Sequence, residues 1–501
     1  MVNYRFLISL VLFSFACEIL HDDNCITFGI EHFPAGLDPS YKSGIIEVHI
    51  YSQIYETLIS LDNDYQTLIP NLAKSWSVSD DKTCFIFNLR SGVYFHDGSL
   101  FNASDVKYSI DRKIEKDETS VLAQIIKSVN IIDSLTVQVN LKYPYYQFLY
   151  SLTSPINLVI ISKNAVMRYG QSISRNPIGT GPFQLTNWKE NEEIKLKAFS
   201  SYWRDINKHR QVLFKVYEDD SDRERALEEA KIDILYLVTG YSIDRLKWRG
   251  TIDYYLQKPM NTVFLGFNNT NEPFNDIRLR KAIQKAIPLE KLVFNVFRGN
   301  AIVAKGPLPP SFFKYESFNQ DEYNIKEAMD LLKEAGYKNG LSIRFFFPMV
   351  GFSRQMIIEI LRYQLAKVGI TLNISYYYNW EEHDRAIKSD SAQMFIDSYD
   401  SDVLGDAHFY LYSLFHSKST SNSLHYACAE VDQWLDAACR EADAQVRQQL
   451  YAKVVRQVIA DVPAVFLYHV IPNFAYNRRK IKKMVANPYQ IIQFHRLELY
   501  E

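Results

Sequence analysis

The order of helices and strands in the second half of this chain most constrains its fold. Three residues suited to helix N-caps each precede an apolar stripe at helical spacing, namely Asp276, Asn324 and Ser353. The second and third stripes each end at a glycine and lead into an alternating strand, at 341–347 and 370–376. Helices and strands in alternation predict an α/β lobe.

The length of 501 residues requires more than one such unit, and it predicts two or three domains. Alternating strands are also predicted around 83–90 and 136–141, and a helix with Ser104 as its N-cap lies between them. The Gly-Thr-Gly-Pro segment at 179–182 is a candidate crossing between lobes. A helical stretch from 430 to 459 is expected to stop before Pro463. Because no long Gly/Ser linker occurs, the domains should be joined by chain crossings.

Charge and aromatic content narrow the possible functions. The chain carries 56 Lys and Arg against 58 Asp and Glu, and this balance argues against nucleic-acid binding. Aromatic residues make up 14 % of the chain. Most of them are expected to pack in cores, and a ligand cleft lined with rings is the second interpretation.

The first residues have the pattern of a secretory signal peptide. Arg5 precedes an apolar run at 6–15, which is too short to span a bilayer. The following Ser-Phe-Ala-Cys resembles a bacterial lipobox that ends at Cys17. We therefore predict a signal peptide at 1–17 and lipid attachment at Cys17, with ordinary signal cleavage as the alternative. This places the protein in the periplasm or on the outer face of the cytoplasmic membrane.

The remaining cysteines are Cys25, Cys84, Cys428 and Cys439. Export permits disulfides, so one bridge remains possible beside the expectation of buried free thiols. Within one helix, Cys428 and Cys439 would have Cα atoms roughly 16 Å apart, which is too far for them to bridge each other.

Local motifs of catalysis are absent from the sequence. It contains no nucleophile elbow, zinc-protease motif, phosphate-binding loop or dinucleotide fingerprint. His408, His416 and His425 are eight and nine residues apart, so they do not share one helical face. We expect no metal, no cofactor and no enzyme activity, and we keep a hydrolase or metalloenzyme as a remote alternative.

Three segments then resemble one known family. They are NLAKSWSVSDDKTCFIFNLRSGVYFHDGSLFNASDVKYSIDR at 71–112, a segment at 176–203 that contains NPIGTGPFQLTNW, and TVFLGFNNTNEPFNDIRLRKAIQKAI, which ends at Ile287. AMDLLKEAGY, LAKVGI and LYSLFHS follow in the same order. The chain resembles the family 5 bacterial extracellular solute-binding proteins, which carry peptides and some other solutes to ABC importers.

This resemblance implies an α/β, bilobed fold like that of the periplasmic binding proteins. It would be of type II with an extra domain, with a mixed sheet in each lobe and a hinge between them. The implied domains are lobe I at 26–47, 178–268 and 476–501, the extra domain at 48–177, and lobe II at 269–475.

The resemblance also suggests where a peptide would be held. Peptide-binding members hold the α-ammonium of the ligand with an Asp in a segment before the Leu-Phe motif. Asp402 falls at that position here, Tyr399 stands where the family often has Trp, and Asp400 is the fallback. A carboxylate in a closed cleft pairs well with an ammonium. The alternative is that Asp402 caps a turn.

The expected function is therefore capture of oligopeptides or dipeptides between two lobes, by a monomer that delivers them to the permease subunits of an ABC importer. The same fold binding an oligosaccharide, a nickel chelate or haem is the alternative. The sequence does not separate transport from a sensor or chaperone role.

Overall fold

The computed structural model describes residues 24–41, 44–118, 120–206, 210–312, 323–349, 352–389, 391–400 and 403–500. Its strands are β1 Cys25–Ile30, β2 Ile59–Leu61, β3 Leu68–Pro70, β4 Ala73–Val78, β5 Cys84–Leu89, β6 Ile126–Asp133, β7 Thr136–Leu141, β8 Phe183–Lys189, β9 Glu193–Ala198, β10 Gln211–Val216, β11 Ile234–Tyr236, β12 Ile252–Leu256, β13 Asn261–Phe267, β14 Ala301–Val303, β15 Leu341–Pro348, β16 Ile370–Tyr377, β17 Met394–Asp400, β18 Ala464–Val470, β19 Asn473–Asn477, β20 Ile481–Lys483 and β21 Glu498–Leu499. Its helices are α1 Ile45–Tyr51, α2 Ala103–Lys116, α3 Val121–Ile125, α4 Phe148–Ser151, α5 Lys163–Tyr169, α6 Asp220–Glu228, α7 Gly240–Lys247, α8 Ile277–Ala286, α9 Leu289–Phe297, α10 Ile325–Glu334, α11 Phe352–Ala366, α12 Trp380–Ile387, α13 His408–Phe415, α14 Ala429–Arg440 and α15 Ala444–Asp461.

Two mixed sheets form the centres of two lobes. The seven-stranded sheet of lobe I has the order β12-β19-β11-β1-β10-β9-β8, in which β1 runs parallel to both of its neighbours. The six-stranded sheet of lobe II has the order β14-β18-β13-β17-β15-β16. An extra domain is built on the four-stranded sheet β4-β5-β7-β6. The predicted α/β class with a mixed sheet in each lobe is confirmed.

Two short crossings connect the lobes and define the hinge. Residues 257–260 lead from β12 of lobe I to β13 of lobe II, and residues 471–472 return from β18 to β19. The two crossings lie side by side, because the backbone N–H of Gln257 donates to the carbonyl of Pro472 at 2.9 Å. The lobe boundaries expected at 269 and 475 lie a few residues beyond these crossings.

The extra domain is attached to lobe I through a buried carboxylate. Glu56 accepts hydrogen bonds from the Thr180 hydroxyl, the Tyr202 hydroxyl and the Trp203 indole, each at 2.9 Å. Burial raises the pKa of Glu56, and these donors oppose the rise. The Glu56 contacts join the start of the extra domain to the segment in which the chain re-enters lobe I.

The segment at 179–182 makes this return to lobe I, so the prediction that it crosses between the lobes is wrong. A Cβ on Gly179 would lie 2.0 Å from the carbonyl oxygen of Ile54, and one on Gly181 would lie 2.6 Å from that of Gln53. The two glycines therefore permit close packing of two backbone segments on the same side of the hinge.

Helix starts follow the sequence with three corrections, the first of which is that Ser353 lies inside α11 and does not cap it. Asp276 and Asn324 are N-caps as predicted. The helix expected from Ser104 is instead capped by Asn102, whose side chain accepts from the Ser104 N–H in a capping box with Asp105. The stretch from 430 to 459 is two helices, because the Asp443 carboxylate accepts from two backbone N–H groups and begins α15.

Aromatic side chains fill the interior of both lobes, as the composition suggests. In lobe I, the ring centroids of Phe28 and Phe214 lie 5.8 Å apart, and both rings contact Phe494. In lobe II, Phe267 stacks on Phe274 at 4.8 Å. Such rings bury large apolar areas and favour offset or edge contacts. Within the described ranges, no helix is long and apolar enough to cross a membrane.

Candidate functional site

A cleft of about 350 Å³ lies between the two lobes, beside the hinge. Its lobe I wall is formed by the end of β1, the start of α1 and α6, and residues 236–240. Its lobe II wall is formed by β13, β17, β18 and the first turn of α11. Both walls are built mainly from the ends of strands and helices, which is where open α/β sheets place their ligands.

Asp400 is an acidic residue that borders the lobe II wall but does not itself line the cavity. It is the last residue of β17 and pairs in register with Asn261 of β13, which lines the cavity. The residue as a whole is exposed, but protein groups packed around its carboxylate desolvate it and raise its pKa to about 6. A hydrogen bond from Asn261 and the charge of Arg354 oppose the rise.

Asp400 also acts electrostatically on the other lobe. Burial raises the pKa of Tyr236 on the lobe I wall, and the charges of Asp400 and Glu31 raise it further. The hydroxyl of Tyr236 donates to Gln490 at 2.7 Å, so this ring is held in place.

Arg354 supplies a positive charge on the same wall. It lies in the first turn of α11 and lines the cleft with Ser353 and Ser398. Its charge lowers the pKa values of both Asp400 and Asp397, although burial keeps the pKa of Asp397 at about 7. The lobe II wall thus presents the guanidinium of Arg354, which acts electrostatically on two carboxylates of β17.

The lobe I wall carries a second charged group around Arg223. The guanidinium of Arg223 donates to the carbonyls of Tyr217 at 2.5 Å and Glu218 at 3.1 Å and pairs with Asp220. Glu31 lies 4.0 Å away. The charged residues that line the cleft are Glu31, Asp220, Arg223 and Arg354, so acidic and basic groups are balanced. A ligand that carries both an ammonium and a carboxylate suits this balance.

The backbone of β17 has an open edge beside these charges. β17 pairs with β13 along its whole length, but with β15 only at Met394 and Phe395. Residues 397–400 therefore have a sheet partner on one side only. One of their carbonyls, that of Tyr399, already accepts from the Tyr410 hydroxyl at 3.3 Å. The N–H of Ser398 already donates to the Asp397 carboxylate at 2.8 Å. The remaining backbone groups on this edge suit an extended ligand.

The predicted binding residues have different outcomes. Asp402 and Cys17 lie outside the described residues. Tyr399 does not line the cavity, because alternation along β17 turns its ring onto Tyr410, with centroids 4.8 Å apart. Asp400 does not line the cavity either, but it bonds to Asn261, which does.

Sequence reasoning missed Arg354. The available signal was a positive charge at a helix N-terminus, where the helix dipole disfavours a cation.

The histidines and cysteines form no further site in the described part of the chain. No group of three His, Cys, Asp or Glu residues there is placed to hold a metal ion. His416 lies between Asp432 at 3.7 Å and Asp436 at 3.4 Å. Cys25, Cys84, Cys428 and Cys439 are all free thiols, so no disulfide forms among these residues.

Two α/β lobes that face each other across a charged cleft and are joined by two short crossings define a ligand-binding protein of the bilobed type. The chain belongs to the bacterial extracellular solute-binding proteins of family 5, whose model matches residues 67–422. The fold and family expected from the sequence are thereby confirmed.

Individual relatives show the range of this family. The glutathione-binding protein GsiB of Pectobacterium atrosepticum is 28% identical over 443 residues, which cover 86% of each chain. The periplasmic binding protein DppA of Helicobacter pylori, solved with the peptide STSA, superposes with a TM-score of 0.82 at 24% identity, covering 95% of this chain and 98% of DppA. NikZ of Campylobacter jejuni, solved with Ni(L-His), gives 0.79 at 25% identity, covering 94% and 97%.

Proposed function

We propose that this protein captures a short peptide in the interlobe cleft and delivers it to the permease subunits of an ABC importer. The observation that carries the proposal is a charged interlobe cleft, in which Arg354 lines the lobe II wall and Glu31 the lobe I wall, with Asp400 bonded to the lining residue Asn261. Lobe II would hold the ligand first, and lobe I would close over it by rotation at the hinge.

The two ends of a peptide match the two charges of the lobe II wall. The α-ammonium would bind the carboxylates at the end of β17, either Asp402 as the sequence predicts or Asp400. The α-carboxylate would bind Arg354, whose planar guanidinium suits two parallel hydrogen bonds. The backbone between the ends would pair with the open edge of β17. Recognition through charges and backbone leaves the side chains of the peptide free to vary.

The size of the cleft favours a ligand of two or three residues. Its volume of about 350 Å³ lies near the lower end of the range of about 300–1,000 Å³ for small-molecule sites. Glutathione, the ligand in the name of the GsiB relatives, is a tripeptide with one ammonium and two carboxylates, and it therefore belongs in the first set of ligands to test.

A metal chelate is the second candidate, because NikZ was solved with Ni(L-His). The described residues offer no cluster that could coordinate a metal by themselves. A metal would therefore have to enter with its own organic ligands, and their carboxylates would bind Arg354.

Native mass spectrometry of freshly purified protein tests the proposal, because a tightly held ligand co-purifies. Calorimetry with glutathione, the dipeptide Met-Leu, the tetrapeptide STSA and Ni(L-His) follows. Binding of a peptide at micromolar or lower concentration supports the proposal. Binding of Ni(L-His) with no heat from any peptide selects the chelate instead, and a co-purified sugar or haem would overturn the peptide assignment.

The location of the protein is part of the same proposal. The apolar run at 6–15 and the lipobox-like segment that ends at Cys17 support export and a lipid anchor. An anchored monomer would stay close to a membrane permease, which raises the frequency of productive encounters.

A further inference from the structure

The lobe II segment that follows β17 is contacted from the opposite side of the hinge. Gly405 has a φ of +89°, and a Cβ on it would lie 2.2 Å from the ring of Tyr150 in the extra domain. The N–H of Leu404 donates to the hydroxyl of Tyr489 at 3.5 Å, and Tyr489 also bonds to Thr153 at 2.6 Å. The extra domain and the C-terminal part of lobe I thus both touch residues 403–408, which adjoin the cleft at Asp400.

Asp406 is the centre of a buried polar network in this segment. Its side chain is 4% exposed. One carboxylate oxygen accepts from Arg447 Nε at 3.0 Å, and the other accepts from the Tyr451 hydroxyl at 2.5 Å and from the His408 N–H at 2.9 Å. Charge-assisted bonds of this kind hold a buried carboxylate in one orientation. The backbone of the segment is therefore fixed from within lobe II.

The extra domain adds one more donor to this network. Gln147 is almost fully buried, and its Nε2 lies 3.2 Å from the Tyr451 hydroxyl and 3.4 Å from Asp406 Oδ1. Beside it, the guanidinium of Arg447 lies 4.3 Å from the centroid of the Tyr146 ring. Because Glu56 attaches the extra domain to lobe I, opening the hinge has to separate Gln147 from Asp406 and Tyr146 from Arg447.

We propose that Asp406 and Gln147 are positioning residues for the ligand. When the lobes close, Gln147 completes the network around Asp406 and holds residues 403–408 in the conformation in which the end of β17 meets the ligand. The extra domain thereby acts directly on the affinity of a cleft whose walls belong to the two lobes. This inference rests on the proposed capture of a ligand at the end of β17.

Hydrogen exchange measured by mass spectrometry tests the positioning without any ligand. Gln147→Met keeps the length of the side chain and removes its donor. We expect amides within 403–412 to exchange about fivefold faster or more in this variant. The control is Gln138→Met, which makes the same change elsewhere in the extra domain. Gln138 donates to its neighbour Asn140 at 2.8 Å, so this variant should leave the exchange of residues 403–412 unchanged. Equal exchange in wild type and Gln147→Met overturns the proposal.

A double-mutant cycle tests the effect on affinity. With glutathione or the best peptide from calorimetry as the probe, we expect Gln147→Met and Asp406→Asn each to weaken binding by about fivefold. The double variant should be no weaker than Asp406→Asn alone, since both changes break one network. If the losses of affinity in the two single variants simply add in the double variant, Gln147 and Asp406 are not coupled and the proposal is overturned. If wild type binds no peptide, the function proposed above fails, and hydrogen exchange still decides the positioning.

Discussion

Asp402 and Asp400, two residues apart, are the two candidates for the site that binds the ammonium of the ligand. The sequence favours Asp402, and the structure favours Asp400. The sequence predicts Asp402 as the anchor, and the structure places Asp400 beside Asn261, which lines the cleft. We expect Asp402→Ala to lower peptide affinity at least about tenfold, because an ammonium left unpaired in a closed cleft loses a strong charge-assisted bond. Calorimetry measures the loss.

The matched control for this change is Asp330→Ala, which removes an exposed carboxylate from α10 of the same lobe. It should leave the affinity unchanged. If Asp402→Ala also binds normally while Asp400→Asn does not, the ammonium site moves to Asp400.

The pKa of Asp400 predicts how binding depends on pH. With a pKa of about 6, the carboxylate is mostly charged at pH 7 and mostly protonated at pH 5. A bound ammonium requires the charged form, so affinity should fall about tenfold over these two pH units. Because the folded-state pKa lies above that of an unfolded Asp, the stability of the ligand-free protein falls as the pH rises from about 4 to about 6 and stays lowered above that. A bound ammonium offsets this loss.

Calorimetry at pH 5, 6 and 7 measures this dependence for wild type and for Asp400→Asn. The variant should lose most of it, because its amide does not titrate. The same fall in affinity in both proteins would mean that another group titrates on binding.

The break between α14 and α15 shows what decides the length of a helix. Apolar spacing continues through it, so periodicity alone predicts one helix. The Asp443 carboxylate accepts from the N–H groups of Gln445 at 2.7 Å and Val446 at 3.2 Å, and this starts a new helix. Asp443→Ala should lower the free energy of unfolding by about 1 kcal/mol. Chemical denaturation measures the change, and Gln445→Ala, which leaves the cap intact, should cost clearly less.

Helices with both a strong cap and a single apolar stripe were the easiest elements to predict. α8 and α10 begin where Asp276 and Asn324 suggest, and β15 and β16 follow as expected. Ser353 lies inside the first turn of α11. Neighbouring cap candidates are harder to rank, since both Asn102 and Ser104 suit the position and the capping box with Asp105 selects Asn102.

The placement of the whole molecule in the cell depends on Cys17, which lies outside the described residues. If the thiol carries a diacylglycerol, the protein should partition into the membrane fraction and into the detergent phase, because two acyl chains anchor stably. Cys17→Ser should move it to the soluble fraction. Mass spectrometry of the mature N-terminus is the direct check, and an unlipidated N-terminus at another residue would contradict the anchor.

The sequence by itself determined the α/β class, because caps, glycine stops and periodic apolar residues act within a few positions of one another. The family and the bilobed plan followed from the resemblance of several motifs to those of the family 5 solute-binding proteins. Only the tertiary structure decided which charged residues meet at the cleft and which contacts hold the neighbouring segment in place. The charge of Arg354 at the start of a helix acts on Asp400 at the end of a strand, and Gln147 contacts Asp406 across 259 residues. Such pairs depend on burial and on electrostatic fields between distant segments, and no local pattern records them.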